Sequence, residues 1–471
     1  MQAVIRTIFL TIFLLFLGGC APSEESQTET VENSGDSLGD VNFGITQNKI
    51  PTLVVIMNWK NISEDDPLIW YDKIFNKEEN SVNRWYYDST DANIELMPIE
   101  ENSGISNDGI ISVNMDENHP GSDYSIDGSR EAAFRDNYLA KAMNSSDVNG
   151  AVNFAEYDTD ADGSLNQKEL QVIFIIAGGE ESYNEVSNDA IWAHAWSFES
   201  RSPLVLDNVK VISDTGEELT TGWYTRFGAV HGYGFAEAHK ATVGIIAHEI
   251  GHSLLNLEDY YQTDPPYDQN NNGLTGSGLG YYDIMSGGSW AKKRVDSYEG
   301  DTPVQFSAYN KIDALFNTDT RIISSTDSAT IKCSSNEFIK LITEESNEFF
   351  LLECRDSARV DSDRAFNTAN SGFSDNKLFA LLYHVDTNKN NNNEDGSQTQ
   401  SNHYKVRLVE RDTSYALTKY RGITVKESDS YTDGDIVDFN KVSSYNGSKS
   451  YKIEVLSSSY TTREMSFKIT H

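Results

Sequence analysis

HEIGHSLLNLEDYY, residues 248–261, is the stretch that decides how this chain is interpreted. An apolar run precedes this stretch, and the two segments together predict a long helix from about Ala241. His248 and His252 lie one helical turn apart, so both imidazoles leave the same face and can bind one ion. Glu249 then stands beside the metal, where it can take a proton from a water molecule. The motif predicts a zinc site with Glu249 as the general base.

A catalytic zinc ion needs a third protein ligand, and two acidic residues follow the predicted helix. In the extended signature H-E-x-x-H-x-x-G-x-x-[H/D], a glycine ends the helix in a left-handed turn and the third ligand swings back under the metal. Leu255 holds the glycine position here and adopts that conformation poorly, whereas Asn256 adopts it readily. This predicts a turn displaced by one residue. The ligand spacing favours Glu258 as the third ligand, with Asp259 as the alternative.

A second stretch, GLGYYDIMSGGSW at residues 278–290, places Met285 among small residues downstream of the zinc motif. A methionine in such a setting, taken alone, indicates ordinary packing. Beside a zinc motif it predicts a tight methionine-containing turn beneath the metal.

Strand-like and helical segments interleave up to about residue 315. TLVVIMNW at 52–59 and VIFIIAGG at 172–179 have the continuous apolar character of buried strands. Beyond this point nearly all apolar segments are strand-like and are separated by Asn, Ser, Asp and Gly clusters. The sequence therefore predicts an α+β fold. A domain at residues 48–315 contains a twisted sheet and the motif-bearing helix, and an all-β domain follows at residues 316–471.

A stretch just before the second of these strands has the spacing of an EF-hand loop. Alternate side chains and one backbone carbonyl can surround a hard cation, while Gly163 makes the sharp turn. An acidic turn without metal is the alternative. The predicted calcium ligands are Asp158, Asp160, Asp162, Ser164, Asn166 and Glu169. Because the loop leads directly into a buried strand, its predicted role is structural.

The composition limits the class of partner. The 471 residues include 73 Asp and Glu against 37 Lys and Arg, a formal charge of -36. Such a negative field repels phosphate, so nucleic acid is excluded as an expected partner. The hydrophobic content of 38% is sufficient for well-filled cores.

The N-terminus predicts export. Arg6, an apolar run too short to span a bilayer, and then small residues indicate a signal segment at residues 1–19. Cys20 follows Leu17, Gly18 and Gly19 as in bacterial lipoproteins, which predicts acylation of its sulfur and a membrane anchor at the cell envelope. An ordinary signal with an incidental cysteine is the alternative. Residues 20–47 have hardly any large apolar side chains, which is typical of a flexible tether.

Two other cysteines, Cys333 and Cys354, form an even pair in a compartment that permits disulfides. Both lie in strand-like stretches, so a disulfide is predicted. Two unpaired buried thiols are the alternative, since sequence does not fix the distance between the Cα atoms.

The two diagnostic stretches resemble the M6 family of bacterial metallopeptidases, the immune inhibitor A group. Family members have a stretch like HEFGHxLGLPDLYD and later WDLMSGGSW, matched here by HEIGHSLLNLEDYY and YYDIMSGGSW. Further similarity extends over about residues 48–415 and includes the segments IWAHAWSF, FFLLECRD and LFALLYHVD. The chain departs from the family at Leu255 and Glu258, where Gly and Asp are usual.

The resemblance implies a metzincin-like zinc peptidase domain with a β-rich companion, acting on proteins or peptides. With the residue pattern, it predicts one catalytic zinc, structural calcium and a lipid-anchored endopeptidase, with a monomer favoured. The alternative is a catalytically silent surface lipoprotein that binds protein or glycan. The intact His248, Glu249 and His252 argue against that alternative.

Overall fold

The computed structural model describes most of the chain beyond residue 48. The described residues are 49–64, 66–78, 80–121, 134–183, 189–198, 203–212, 223–261, 278–293, 298–314, 318–344, 347–357, 377–389, 403–411, 429–438 and 451–471. The predicted signal segment at 1–19, the lipidation site Cys20 and the tether at 20–47 lie outside them.

The N-terminal part of the described chain combines strands with helices, as the sequence predicts. Its strands are β1 (Lys49–Asn58), β2 (Glu95–Pro98), β3 (Ile110–Asn114), β4 (Gln171–Glu180), β5 (Ala190–Ile191), β6 (His194–Trp196), β7 (Leu204–Leu206), β8 (Val209–Val211), β9 (Tyr224–His231) and β10 (His239–Lys240). Its helices are α1 (Pro67–Phe75), α2 (Val82–Ser89), α3 (Ala140–Met143), α4 (Ser146–Asn149), α5 (Val243–Leu255) and α6 (Ala308–Asp313).

Eight of these strands form one mixed sheet. Its main path is β10-β9-β4-β1-β2, while β3, β5 and β6 pair with β1, β4 and β9 respectively. The central strands β1, β4 and β9 run parallel, whereas β6 and β10 are antiparallel to β9. Parallel central strands are covered on both faces, which explains why β1 and β4 are continuous apolar runs.

Strand β1 shows how the sheet separates two cores. Val54 and Ile56 face a core that includes side chains of α1, α2 and α5. Val55 and Met57 face a second core on the opposite side. Successive side chains of a strand point to opposite faces, so both halves of the run are buried. The sheet thereby holds α5, the helix that carries the zinc motif, against one face.

All described elements beyond residue 318 are strands, and we call residues 318–471 the C-terminal β region. They are β11 (Asp319–Ile323), β12 (Asp327–Lys332), β13 (Glu337–Ile342), β14 (Glu348–Asp356), β15 (Leu378–Asp386), β16 (Val406–Leu408), β17 (Ile436–Asp438), β18 (Lys452–Ser459) and β19 (Glu464–Thr470). They form a five-stranded sheet, β11-β13-β14-β15-β16, and a four-stranded sheet, β12-β19-β18-β17. A disulfide joins Cys333 and Cys354 within this region.

The five-stranded sheet lies between the N-terminal part and the four-stranded sheet. Phe349 and Leu351 of β14 belong to the core that contains α5. Phe350 and Leu352 belong to a third core, shared with the four-stranded sheet. Both faces of β14 are therefore buried along its whole length. The C-terminal β region thus shares a hydrophobic core with the helix that carries the zinc motif.

None of the helices in the described part of the chain combines the length and the apolar character needed to cross a membrane.

Candidate metal centre

Helix α5 ends in the left-handed turn that the sequence predicts. Asn256 has φ of 53°, and its N–H donates to the His252 carbonyl at 3.0 Å. The Leu257 N–H reaches back to the Gly251 carbonyl at 3.3 Å, so the last carbonyls of the helix are hydrogen-bonded. The turn comes one residue later than the glycine of the extended signature, because the side chain of Leu255 disfavours positive φ and Asn256 tolerates it.

The two histidines of α5 present their Nε2 atoms to a common point. These atoms lie 3.2 Å apart. The Nδ1 atoms face backbone carbonyls, at 2.8 Å from Ile284 for His248 and at 2.5 Å from Leu257 for His252. A carbonyl only accepts, so these hydrogen bonds place the proton on Nδ1 and leave the lone pair on Nε2. Both rings are buried and are oriented as metal ligands.

The structure places Asp259, rather than Glu258, beside the two histidines. Asp259 Oδ1 lies 3.2 Å from His248 Nε2 and 3.4 Å from His252 Nε2. Glu258, which the spacing favoured, instead directs Oε2 to Lys405 Nζ at 3.2 Å. Since the turn moves from position 255 to Asn256, the residue that swings back under the helix moves by one as well. In this chain, as in the signature, the candidate ligand follows the left-handed residue by three positions.

The site fits a zinc ion. The three candidate ligand atoms, from His248, His252 and Asp259, lie within 4.8 Å of one another. Asp259 Oδ1 is buried and accepts no well-formed hydrogen bond within the part of the chain that the structure describes. A buried carboxylate oxygen is normally satisfied, so its placement beside two imidazole lone pairs indicates a cation site. Although burial acts to raise it, attraction to the two histidines in their protonated form holds the pKa of Asp259 below its usual range.

Glu249 lies in α5 directly beside His248 and is also buried. It is not one of the three convergent ligands. Burial raises the pKa of its carboxyl to about 8, with His248 opposing the rise and Asp259 adding to it. A bound dication close by would lower this pKa. A carboxyl in this position, next to the candidate ligands but outside their set, suits an acid–base group beside a metal.

Met285 lies directly beneath the turn of α5 that joins the two histidines. A Cβ added to Gly251 would meet its sulfur at 2.5 Å, so the absence of a side chain at Gly251 allows this close approach. The Met285 carbonyl accepts from the Tyr260 N–H at 2.7 Å, immediately after Asp259. The preceding residue, Ile284, accepts the hydrogen bond of His248 described above. The segment around Met285 thus holds both a histidine and the chain that follows Asp259.

Asp283 anchors this methionine turn, and sequence analysis did not identify it. Its buried carboxylate accepts from the N–H of Met285 at 2.6 Å and from that of Ser307 at 2.9 Å. Asn310 of α6 donates from Nδ2 to both oxygens at 2.8 Å. No local pattern marks Asp283 as an anchor, because Ser307 and Asn310, its partners outside the turn, lie more than 20 residues along the chain. The sequence did give an indication for Asp259, because a turn displaced by one residue predicts a ligand displaced by one residue.

The predicted calcium loop forms a compact acidic turn. Oxygens of Asp158, Asp160 and Asp162 lie within 4.8 Å of one another, and Gly163 has φ of 84°. Asp158 accepts from the N–H groups of Asp162 and Gly163 at 3.1 and 3.0 Å. Glu169 accepts from the N–H groups of Thr159, Asp160 and Asn166, and its carboxylate is not among the three grouped ones.

The loop is connected to the body of the protein. The Lys210 N–H in β8 donates to the Gly163 carbonyl at 3.0 Å, and the Leu165 N–H donates to the Lys210 carbonyl at 2.8 Å. Leu165 is part of the second core, and the chain then enters β4. Cation binding here can therefore affect the placement of a central strand.

Comparison with known proteins agrees with this geometry. The catalytic-domain model of the immune inhibitor A peptidase M6 family matches residues 71–315, just over half of the chain. Immune inhibitor A of Bacillus thuringiensis subsp. alesti is 31% identical over 166 residues, 34% of this chain and 20% of that protein. Pre-pro-metalloprotease PrtV of Vibrio cholerae serotype O1 is 30% identical over 167 residues, 35% of this chain and 15% of that protein. The alignments thus span a fifth or less of these curated relatives.

Proposed function

The chain belongs to the M6 family of peptidases, the immune inhibitor A group, and on this basis we propose that it is a zinc-dependent endopeptidase. The observation that carries the proposal is the convergence of His248, His252 and Asp259, with Glu249 beside them. Three protein ligands are the number that would hold a catalytic zinc ion, which needs its fourth position for water or substrate. The proposal includes the metzincin-like character of the peptidase part, which the late left-handed turn and the methionine beneath α5 support.

The roles of the residues follow from their positions. His248 and His252 would hold zinc through Nε2, and Asp259 through its carboxylate. When bound, zinc polarises the scissile carbonyl and lowers the pKa of water in the open position. Glu249 accepts a proton from the attacking water and later donates it to the leaving amine. The hydrogen bonds of Nδ1 to the Ile284 and Leu257 carbonyls keep the two rings in one orientation throughout.

The experiment that tests the proposal is digestion of casein by the purified chain. We expect cleavage by the wild type, its suppression by a zinc chelator, and its loss in Glu249→Ala with zinc still bound. A wild type that binds zinc and cleaves neither casein nor a broad peptide library would instead favour the silent binding module.

We further propose that the loop at residues 158–169 binds structural calcium. The grouped aspartates and the left-handed Gly163 support this, since they reproduce the first half of an EF-hand loop. Calcium that binds only the folded chain stabilises it by RT ln(1 + [Ca]/Kd), about 2.7 kcal/mol at a hundredfold excess over Kd. We therefore expect calcium to raise the melting temperature at constant zinc. Calorimetry checks this.

The matched variant for the calcium test is Asp158→Asn combined with Asp160→Asn. It keeps the size of both side chains and removes two of the charges that attract the cation. We expect its melting temperature to be insensitive to calcium. An equal rise in wild type and variant would assign calcium to another site, and no rise in the wild type would contradict calcium binding altogether.

Export and lipid anchoring at Cys20 remain part of the proposal, supported by the N-terminal sequence pattern. In a bacterial host, we expect the wild type to partition into the detergent phase of Triton X-114, because acyl chains bind micelles. Cys20→Ala should move to the aqueous phase. Recovery of the wild type in the aqueous phase, with no acyl mass on its N-terminal peptide, would refute the anchor.

The division into a peptidase domain at 48–315 and an all-β domain at 316–471 is also proposed. The end of the family match at residue 315 and the strands beyond residue 318 support it. The shared core indicates that the two parts pack as one unit.

A further inference from the structure

We infer that Lys405, in the C-terminal β region, is a positioning residue for the metal ligand Asp259. The inference rests on the proposed zinc site. Lys405 is not one of the three candidate ligands, and its Nζ contacts the carboxylate of Glu258. It acts through Glu258, the residue immediately before the ligand.

Both chain neighbours of Asp259 are anchored. Glu258 is held by Lys405 at 3.2 Å, with side chains that are 24% and 14% exposed. Tyr260 is held by its N–H, which donates to the Met285 carbonyl at 2.7 Å. Asp259 itself faces the histidines, and the side chains of its two neighbours do not belong to the candidate ligand set.

Tyr260 also has side-chain contacts, and they come from α6. Its hydroxyl donates to Asp313 at 3.3 Å, as does the hydroxyl of Tyr309. The rings of Tyr260 and Tyr309 meet edge to face, with centroids 5.7 Å apart. These anchors of Tyr260 come from the N-terminal part, whereas Lys405, which anchors Glu258, lies in the C-terminal β region.

Lys405 is well placed to act as that anchor. Its carbonyl accepts from the Asp386 N–H at 2.8 Å, which fixes its backbone at the start of β16 beside β15. Its Nζ lies 5.8 Å from the ring centre of Tyr309 and 3.2 Å from the Glu258 carboxylate. A cation held between an aromatic face and a carboxylate, and largely shielded from water, is screened less by salt than a surface pair.

A second contact across the same boundary acts on the methionine turn. Arg355 of β14 is buried and donates from Nη2 to the carbonyls of Tyr282 at 3.3 Å and Phe306 at 3.0 Å. Tyr282 lies just before Asp283, the carboxylate that fixes Met285. The C-terminal β region therefore contacts both segments that support the metal ligands. Its role in the enzyme is to hold the ligand set in place.

The test measures zinc affinity directly, so it does not depend on cleavage. Lys405→Met removes the charge and keeps the length, and Lys405→Arg keeps the charge. By competition with a chromophoric chelator, we expect Lys405→Met to bind zinc about 10-fold more weakly, the usual effect of losing a residue that orients a metal ligand. Lys405→Arg should restore most of the affinity. The visible spectrum of the cobalt-substituted protein should change in Lys405→Met and resemble wild type in Lys405→Arg.

Lys332→Met is the matched control, because Lys332 also forms an ion pair in the C-terminal β region, with Glu337 at 3.6 Å. We expect wild-type zinc affinity in this control. Wild-type affinity and cobalt spectrum in a folded Lys405→Met would overturn the inference, and so would an equal loss in Lys332→Met.

Glu258→Gln covers the case in which Lys405→Met does not fold. It removes the same contact from the other side, and the two changes together should cost little more than one alone. If the losses of zinc affinity in the two single variants added up in the double variant, Lys405 and Glu258 would not act through one contact. A wild type that binds no zinc would refute the proposed function itself. A wild type that binds zinc no more tightly than Lys405→Met does would refute only the role of Lys405.

Discussion

Replacing Glu249 by Ala should abolish proteolysis and leave zinc in place. A positioned general acid–base group typically contributes about 10²–10⁴-fold, so kcat/KM for a peptide substrate should fall by about that factor. Zinc content should stay at about one ion per chain, because the carboxylate is not one of the three convergent ligands. Loss of a buried carboxylate whose pKa is raised by burial should not unfold the protein.

The measurement combines a fluorogenic-peptide assay with metal analysis of the same samples. Glu78→Gln is a suitable control, because Glu78 is exposed and lies between α1 and α2. We expect wild-type rates in that control. Retained activity in Glu249→Ala would remove Glu249 from the mechanism, and loss of zinc in that variant would identify it as a ligand instead.

Replacing Asp259 by Ala should remove the metal as well as the activity. Loss of a ligand should exceed the 10- to 100-fold loss of affinity that is typical when an outer residue is changed. Glu258→Gln should produce only the smaller effect, because the side chain of Glu258 contacts Lys405 rather than the histidines. Comparing the losses of zinc affinity in the two variants therefore tests Asp259 as the third ligand.

Zinc dissociation constants for the two variants, measured by the same chelator competition, decide between these residues. Apo-protein melting temperatures serve as the control for folding. If Glu258→Gln lost zinc and Asp259→Ala kept it, the original choice from ligand spacing would be restored. If neither change affected zinc, the ligand set derived from the geometry would be incorrect.

The features that sequence could predict depend on short-range contacts. The helical spacing of His248 and His252 follows from the period of the helix, and the turn at Asn256 follows from the steric limits on Leu255. The acidic loop around Gly163 also lies within a dozen residues, so its conformation is encoded locally. Short stretches of this kind also showed the resemblance to a peptidase family, which the family match confirms.

The third ligand shows where local reasoning becomes incomplete. Sequence indicated that the turn would shift by one residue, yet the choice between Glu258 and Asp259 depended on which side chain then faced α5. Glu258 and Asp259 are adjacent in the chain but face different partners, Lys405 and His248 respectively, so a shift of one residue decides the candidate ligand.

The sequence by itself determined that this chain has a motif-bearing helix, a methionine-containing segment and a strand-rich C-terminal part. Only the tertiary structure decided that these parts support one another. Lys405 and Glu258 are 147 residues apart along the chain, and Arg355 and Tyr282 are 73 apart. Contacts over such separations produce no recognisable pattern in the sequence, because they depend on how sheets and helices pack. The strand-like stretch FFLLECRD lies in β14, and packing against cores on both faces explains its run of apolar residues.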